Sequence, residues 1–171
     1  MPDNPPCQFT AVILMGVSGS GKTTIGQLLA AQSGCDFIEG DDYHPPKNVF
    51  KMANGIPLSD ADRQPWLTSL HEVLYAHAQT QRSVLLACSA LKQNYRQTLA
   101  AGIPNTHFIY LKGDYGLIAQ RLAERPNHYM KAGMLASQFE TLQEPEDALV
   151  VDIAQSPQII CRIVREYLDR D

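Results

Sequence analysis

Two groups of residues along this chain have types and spacings that could do chemistry. The first is Gly16-Val17-Ser18-Gly19-Ser20-Gly21-Lys22-Thr23, which fits GxxxxGK[ST]. Glycines at these positions let main-chain N–H groups curl inward onto phosphate oxygens. A helix beginning at Lys22 adds a partly positive N-terminus with unpaired donors. Lys22 is a mobile cation placed to reach the outer phosphates, and the Thr23 hydroxyl, followed by Thr24, suits Mg²⁺. The second group is Glu39-Gly40-Asp41-Asp42-Tyr43-His44-Pro45. Glu39 and Asp41 are two residues apart, so an extended backbone puts both carboxylates on one face, across from the phosphate loop. One could hold a water of a metal shell, and the other could accept a hydrogen bond from an acceptor hydroxyl. Phosphoryl transfer has a loose transition state, so aiming that hydroxyl matters as much as deprotonating it. Alone, this stretch would be an acidic, solvated loop. Its place after a phosphate loop and a strand favours the chemical reading.

Cations follow. Lys51 and Arg63 stand in the next segment. Lys92 and Arg96 are four apart and would project from one helical face, with Ser89 placed as a helix cap. They either grip an anionic substrate or are ordinary exposed charges, and spacing alone does not choose. Arg121 and Arg125 are also four apart and precede Pro126-Asn127-His128-Tyr129. They read either as lid arginines that swing onto a transferring phosphoryl group or as exposed charges of a surface helix. His44 either hydrogen-bonds a substrate or packs in its loop. Trp66 and Tyr95 read as packing residues.

The elements that must position these groups are legible as well. An apolar run from Phe9 to Met15 reads as a buried strand before the phosphate loop, and Lys22 to Gln32 as the helix after it. Further strands are expected at Cys35–Ile38, Ser83–Cys88, Thr106–Leu111 and Ala148–Ile153. The third of the five lacks alternation, as a strand buried on both faces should. Helices are expected near Asn48–Ala53, Ala61–Thr80 with Pro65 in its first turn, Leu91–Ala101, Tyr115–Glu124, Leu135–Leu142 and Gln158–Leu168. Strands alternating with helices predict a parallel sheet covered on both sides, with ligands at the carboxyl ends of its strands.

At 171 residues, with 44% hydrophobic and 19% charged residues, the chain suits one α/β domain with a substantial core. The expected layout is a tail over residues 1–8 and a single domain over 9–171, with a lid at about 121–136. A net charge of -4 argues against general binding to nucleic acid or a membrane surface, and no apolar run is long enough to span a membrane. Cys7, Cys35, Cys88 and Cys161 have no zinc spacing and read as reduced thiols in a cytoplasmic protein.

Longer blocks carry a more specific signal. MGVSGSGKTTIG from Met15, EGDDYHPPKNVFKMANGIPLSDADRQPWL from Glu39, CSALKQNYR from Cys88 and HYMKAGMLASQFETLQEP from His128 together resemble the gluconate kinase family of P-loop small-molecule kinases. The resemblance implies ATP-dependent phosphorylation of D-gluconate to 6-phosphogluconate. It implies a three-layer P-loop kinase fold with a five-stranded parallel sheet, flanking helices and a small lid. It also implies Mg²⁺ and, commonly, a homodimer. By position it assigns Gly16 to Thr24 to ATP, Thr23 and Glu39 to the metal, and the hydroxyl-facing role to Asp41. His44, Lys51, Arg63, Lys92 and Arg96 become candidate gluconate contacts, and Arg121 and Arg125 lid arginines. Glu39 stands where the family commonly has aspartate, one methylene shorter. A shikimate-kinase-like enzyme shares the phosphate loop and the acidic pair. A nucleotide-controlled switch would carry DxxG and NKxD segments, which this sequence lacks.

Overall fold

The apolar runs become strands because their side chains can be buried on both faces. In the computed structural model, which describes residues 9–125 and 132–170, β1 (Ala11–Met15), β2 (Asp36–Glu39), β3 (Val84–Ala87), β4 (Thr106–Lys112) and β5 (Leu149–Asp152) form one sheet. Its order is β2-β3-β1-β4-β5, and all neighbours are parallel. Leu14 and Glu39 both pair with Ala87, so the carboxyl ends of β1, β2 and β3 finish in line. The residues expected to form the tail, and the middle of the expected lid at 126–131, lie outside the described residues.

Strand parity sorts the core into two layers. Ala11, Ile13 and Met15 face a cluster with Trp66, Leu70 and Leu74 of α3 (Asp60–Gln79) and Tyr95 and Leu99 of α4 (Gln93–Ala100). Val12 and Leu14 face the other side, toward Ile25 and Leu29 of α1 (Lys22–Ser33). Ile118 of α5 (Tyr115–Ala123), Leu135 of α6 (Ala132–Thr141) and Ile160 and Val164 of α7 (Pro157–Leu168) complete that layer. Each large side chain sealed in this way contributes about 1.5–3 kcal/mol of transfer free energy. Beyond β2 lies α2 (Pro46–Ala53), reached by a 3-10 turn over Gly40–Tyr43.

Three local expectations change. β1 begins at Ala11 rather than Phe9, because the Thr10 N–H donates to Ser83 Oγ at 3.0 Å. Pro65 lies past the first turn of α3, since that helix starts at Asp60. The start is fixed by Ser59, whose Oγ accepts the Asp62 N–H at 3.2 Å while Asp62 Oδ2 accepts the Ser59 N–H at 3.0 Å. The cap of α4 is Lys92, without a side-chain bond, so Ser89 does not cap it.

Candidate active site

The phosphate loop leaves β1 at the point where the strand order reverses, which puts it between the two halves of the sheet. Gly16, Gly19 and Gly21 have φ of 145, 82 and 95°, a curl that turns N–H groups to one side. A Cβ on Gly16 would lie 2.8 Å from the Leu111 carbonyl, so the loop packs too closely on β4 for any other residue. The N-terminus of α1 has no side-chain cap, which leaves its first-turn donors facing the loop. Ser20 Oγ is buried and has no hydrogen-bond partner among the described residues. Lys22 folds back over the loop, its Nζ donating to the Gly16 and Val17 carbonyls at 3.0 and 2.9 Å. An ammonium has three donors, so one remains for a ligand. Burial lowers the Lys22 pKa, while Asp41, Cys88 and Glu39 pull it back up. An uncapped helix start, an orphaned buried hydroxyl and a nearby cation fit a polyphosphate.

The acidic segment is built differently from a continuous strand. Glu39 is extended, but at Gly40 the chain enters the 3-10 turn. A Cβ on Gly40 would sit 2.4 Å from the Ala87 carbonyl, and the Gly40 carbonyl accepts the Trp66 indole N–H at 2.7 Å. The turn therefore sends the two carboxylates to different tasks. Glu39 Oε2 accepts the Thr23 hydroxyl at 2.5 Å. Burial raises the Glu39 pKa, and the Thr23 bond opposes that rise. Two hard oxygens side by side at the loop fit Mg²⁺. Asp41 instead projects into a cavity of about 330 Å³. That cavity also takes Ser18 and Lys22 from the phosphate loop, His44 from the end of the turn and Arg63 from α3. Ser89 follows β3 into it, and Met134, Ser137 and Gln138 of α6 close it.

His44 is fixed as a neutral ring. It stacks on Trp66 with centroids 4.1 Å apart, and its Nε2 lies 3.9 Å from Asp41 Oδ1. Burial pushes its pKa down to about 4 against the pull of Asp41. Arg63 lies over the Tyr95 ring at 5.6 Å and donates from Nε to the Leu58 carbonyl at 3.4 Å. Tyr95 in turn donates to Asp60, which also accepts Lys92 Nζ at 2.9 and 3.0 Å.

The expected cations therefore divide. The structure brings Arg63 to the cavity with Lys22, Asp41 and His44, but not Lys51, Lys92 or Arg96. Lys51 Nζ donates to Asp62 Oδ2 at 2.6 Å, in a pair whose carboxylate side chain is only 4% exposed. Lys92 is held by Asp60. Arg96 is buried and donates to the Ala90 and Leu91 carbonyls at 2.9 and 3.3 Å, so it shapes the turn behind Ser89. The carboxylates that open α3 intercept two of these lysines, which no spacing along the sequence reveals. Ser89, Ser137 and Gln138 are polar lining residues that the sequence reading did not assign to the site. Ser89 could have been found as the polar residue just past the carboxyl end of a buried strand. Gln138 becomes visible only once α6 is placed, where its Oε1 accepts the Ser18 N–H at 2.7 Å.

A second cavity, of about 160 Å³, lies across the loop. Gly19, Ser20, Gly21 and Thr24 line one side of it, Arg121 and Arg125 another, and Ile153 and Gln155 a third. Arg121 Nη2 donates to the Ile153 carbonyl at 2.6 Å, which ties α5 to the end of β5. The lid residues between Arg125 and Ala132 lie outside the described residues. Cys88, sealed behind the loop, has its thiol pKa pushed up to about 12 by burial and is no nucleophile at neutral pH.

The shikimate kinase family model matches residues 18–161 of the chain. The thermoresistant gluconokinase of Escherichia coli is 50% identical over 84% of this chain and 84% of its own. A gluconokinase structure from Sinorhizobium meliloti superposes with a TM-score of 0.86 at 40% identity, covering 95% of this chain and 94% of that one. A sugar kinase structure from Janibacter gives a TM-score of 0.89 at 42% identity, covering 94% and 95%. The five-stranded parallel sheet, the phosphate loop at its switch point and the cavity between that loop and the acidic turn make this a P-loop kinase of small molecules. Within that class the chain belongs to the gluconokinase family.

Proposed function

We propose that this chain catalyses transfer of the terminal phosphoryl group of ATP to the primary hydroxyl of D-gluconate, giving 6-phosphogluconate and ADP. The observation that carries the reading is one cavity shared by Lys22, Asp41 and Arg63. It offers a cation at the donor phosphate, a carboxylate for an alcohol and a separate cation for an anionic end. A small polyol acid needs those three groups together. Asp41 receives the hydroxyl proton and aims the oxygen, Lys22 gathers charge on the phosphoryl oxygens, and Arg63 holds the substrate carboxylate. His44 and Ser89 meet the middle hydroxyls. Arg121 and Arg125 approach the nucleotide from the opposite cavity.

Thr23 and Glu39 would hold Mg²⁺, which supplies neutralising charge to the phosphates when bound. The same proposal takes residues 9–171 as one kinase domain with a lid at about 121–136. It takes gluconate as the chain's small-molecule partner, with no role for nucleic acid or membrane, and adds a homodimer in the cytoplasm. Sedimentation velocity on the purified chain tests the dimer. The activity is tested by coupled ADP release with gluconate, shikimate, other sugar acids and nucleosides. Turnover with gluconate, and a 6-phospho product, is expected. ADP release with shikimate but not gluconate would replace this reading with the shikimate-kinase alternative.

A further inference from the structure

Asn48 of α2 is 1% exposed and touches both the acceptor turn and α3. Its Nδ2 lies 2.8 Å from the Asp62 carbonyl. A main-chain carbonyl only accepts, so the amide must turn its nitrogen, not its oxygen, toward that point. The same Nδ2 lies 3.2 Å from His44 Nδ1. An amide NH₂ only donates, so Nδ1 must offer a lone pair. Carbonyl, amide and ring thus form a chain in which each step leaves one choice, and the ring proton falls on Nε2. That nitrogen is the one nearer Asp41, at 3.9 Å, too far for a direct hydrogen bond and close enough to share a ligand oxygen.

We propose that Asn48 is a positioning residue that locks His44 as the Nε2–H tautomer, so that the ring presents a fixed hydrogen-bond donor beside Asp41 to an acceptor-substrate oxygen. The division of labour follows. Asp41 only accepts, His44 only donates, and a hydroxyl between them is held in one orientation. The donor's use on a sugar acid rests on the gluconate kinase reading; the tautomer itself does not. The groups that face the ring are Asp41 from the turn, Asn48 from α2, and Arg63 and Trp66 from α3. Of these, Asp41 favours the imidazolium, while Arg63 and burial oppose it.

The test begins with long-range ¹⁵N–¹H spectra of the wild-type chain at about pH 7, where a neutral histidine reports its tautomer. The expected pattern is a protonated Nε2. A protonated Nδ1 would overturn the proposal. The second arm is Asn48→Asp. Its carboxylate would accept a proton from Nδ1 and stabilise the imidazolium, so the His44 pKa should rise. At low pH the ring is then doubly protonated and keeps its Nε2 donor. Above the new pKa the remaining proton sits on Nδ1 and the donor is lost. The gluconate kcat/KM of Asn48→Asp should therefore fall roughly tenfold relative to wild type between about pH 6 and pH 8, with the KM for ATP little changed. A wild-type pH profile in the folded variant would overturn the proposal. If the variant unfolds, the wild-type spectra decide alone. If gluconate is not a substrate, the function reading fails while the spectra still decide the tautomer.

Discussion

At the scale of residues, one cavity brings together Lys22, Asp41, His44 and Arg63, to which the proposal gives different tasks. Lys22 sits on a loop that holds two of its three protons on carbonyls 3.0 and 2.9 Å away, which leaves one for the proposed phosphate contact. Lys22→Ala removes the charge without touching the core, so the fold should survive. Transfer should drop by on the order of 10²–10³-fold, the usual cost of losing one preorganised charge contact; circular dichroism with single-turnover assays checks both halves. Asp41→Asn keeps the shape but surrenders the proton acceptor. A loss in kcat of on the order of 10²-fold or more, with the KM for ATP nearly unmoved, is the expected result. Near-normal turnover would remove Asp41 from the mechanism. His44 adds a pH signature. Its pKa falls from an ordinary 6.5 to about 4 on folding, so between those values the unfolded chain binds a proton that the folded chain refuses. Stability from this group is complete above about pH 6.5 and is lost as pH falls toward 4. Urea midpoints of wild type and His44→Gln across that range should converge as the pH drops.

At the scale of elements, the site depends on a joint between the 3-10 turn, α2 and α3. Asp62 caps α3 through Ser59 and anchors α2 through Lys51, with Lys47 also 3.3 Å away. Ser59→Ala removes the cap and should cost about 1 kcal/mol in denaturant unfolding. Because α3 also carries Arg63, the variant should raise the KM for gluconate more than that for ATP. An unchanged midpoint would show that the cap is dispensable. This joint also marks where the sequence stops being legible. The strands and the phosphate loop are written in apolar runs and in a fixed motif, and both are local signals. The direction of Asp41 is not, because strand alternation ends at Gly40, where the chain packs closely on Ala87 and enters a 3-10 turn. Lys51, Lys92 and Arg96 are not legible either. Their partners are Asp62, Asp60 and two carbonyls, and only tertiary packing chooses among exposed charge, ion pair and substrate contact. Arg63 is the same residue type as Arg96, yet it reaches the cavity, as His44 does, because Tyr95 and Trp66 support them from behind.

At the scale of the whole molecule, the phosphate loop lies between two cavities. β1 lies between β3 and β4, and the loop at its end faces both ways. Ser18 and Lys22 line the cavity on the β2–β3 side, whereas Gly19, Ser20, Gly21 and Thr24 line the one on the β4–β5 side. On the proposed reading, the acceptor and the nucleotide enter from opposite halves and meet at the loop. Variants should sort by side. Arg63→Ala, which strips one charged contact from the acceptor half, should raise the KM for gluconate roughly 10- to 100-fold and leave that for ATP near wild type. Arg121→Ala, which also cuts the tie to Ile153, should do the reverse. Arg63 and Arg121 bond to different carbonyls, Leu58 and Ile153, and share no hydrogen-bond partner among the described residues, so the double variant should show nearly additive losses in free energy. Initial-rate kinetics on both substrates for the two single variants and the double variant provides the check. If Arg63→Ala raised the KM for ATP as much as that for gluconate, the loop would be transmitting strain between the halves, and the picture of two independent approaches to one phosphate nest would have to be abandoned.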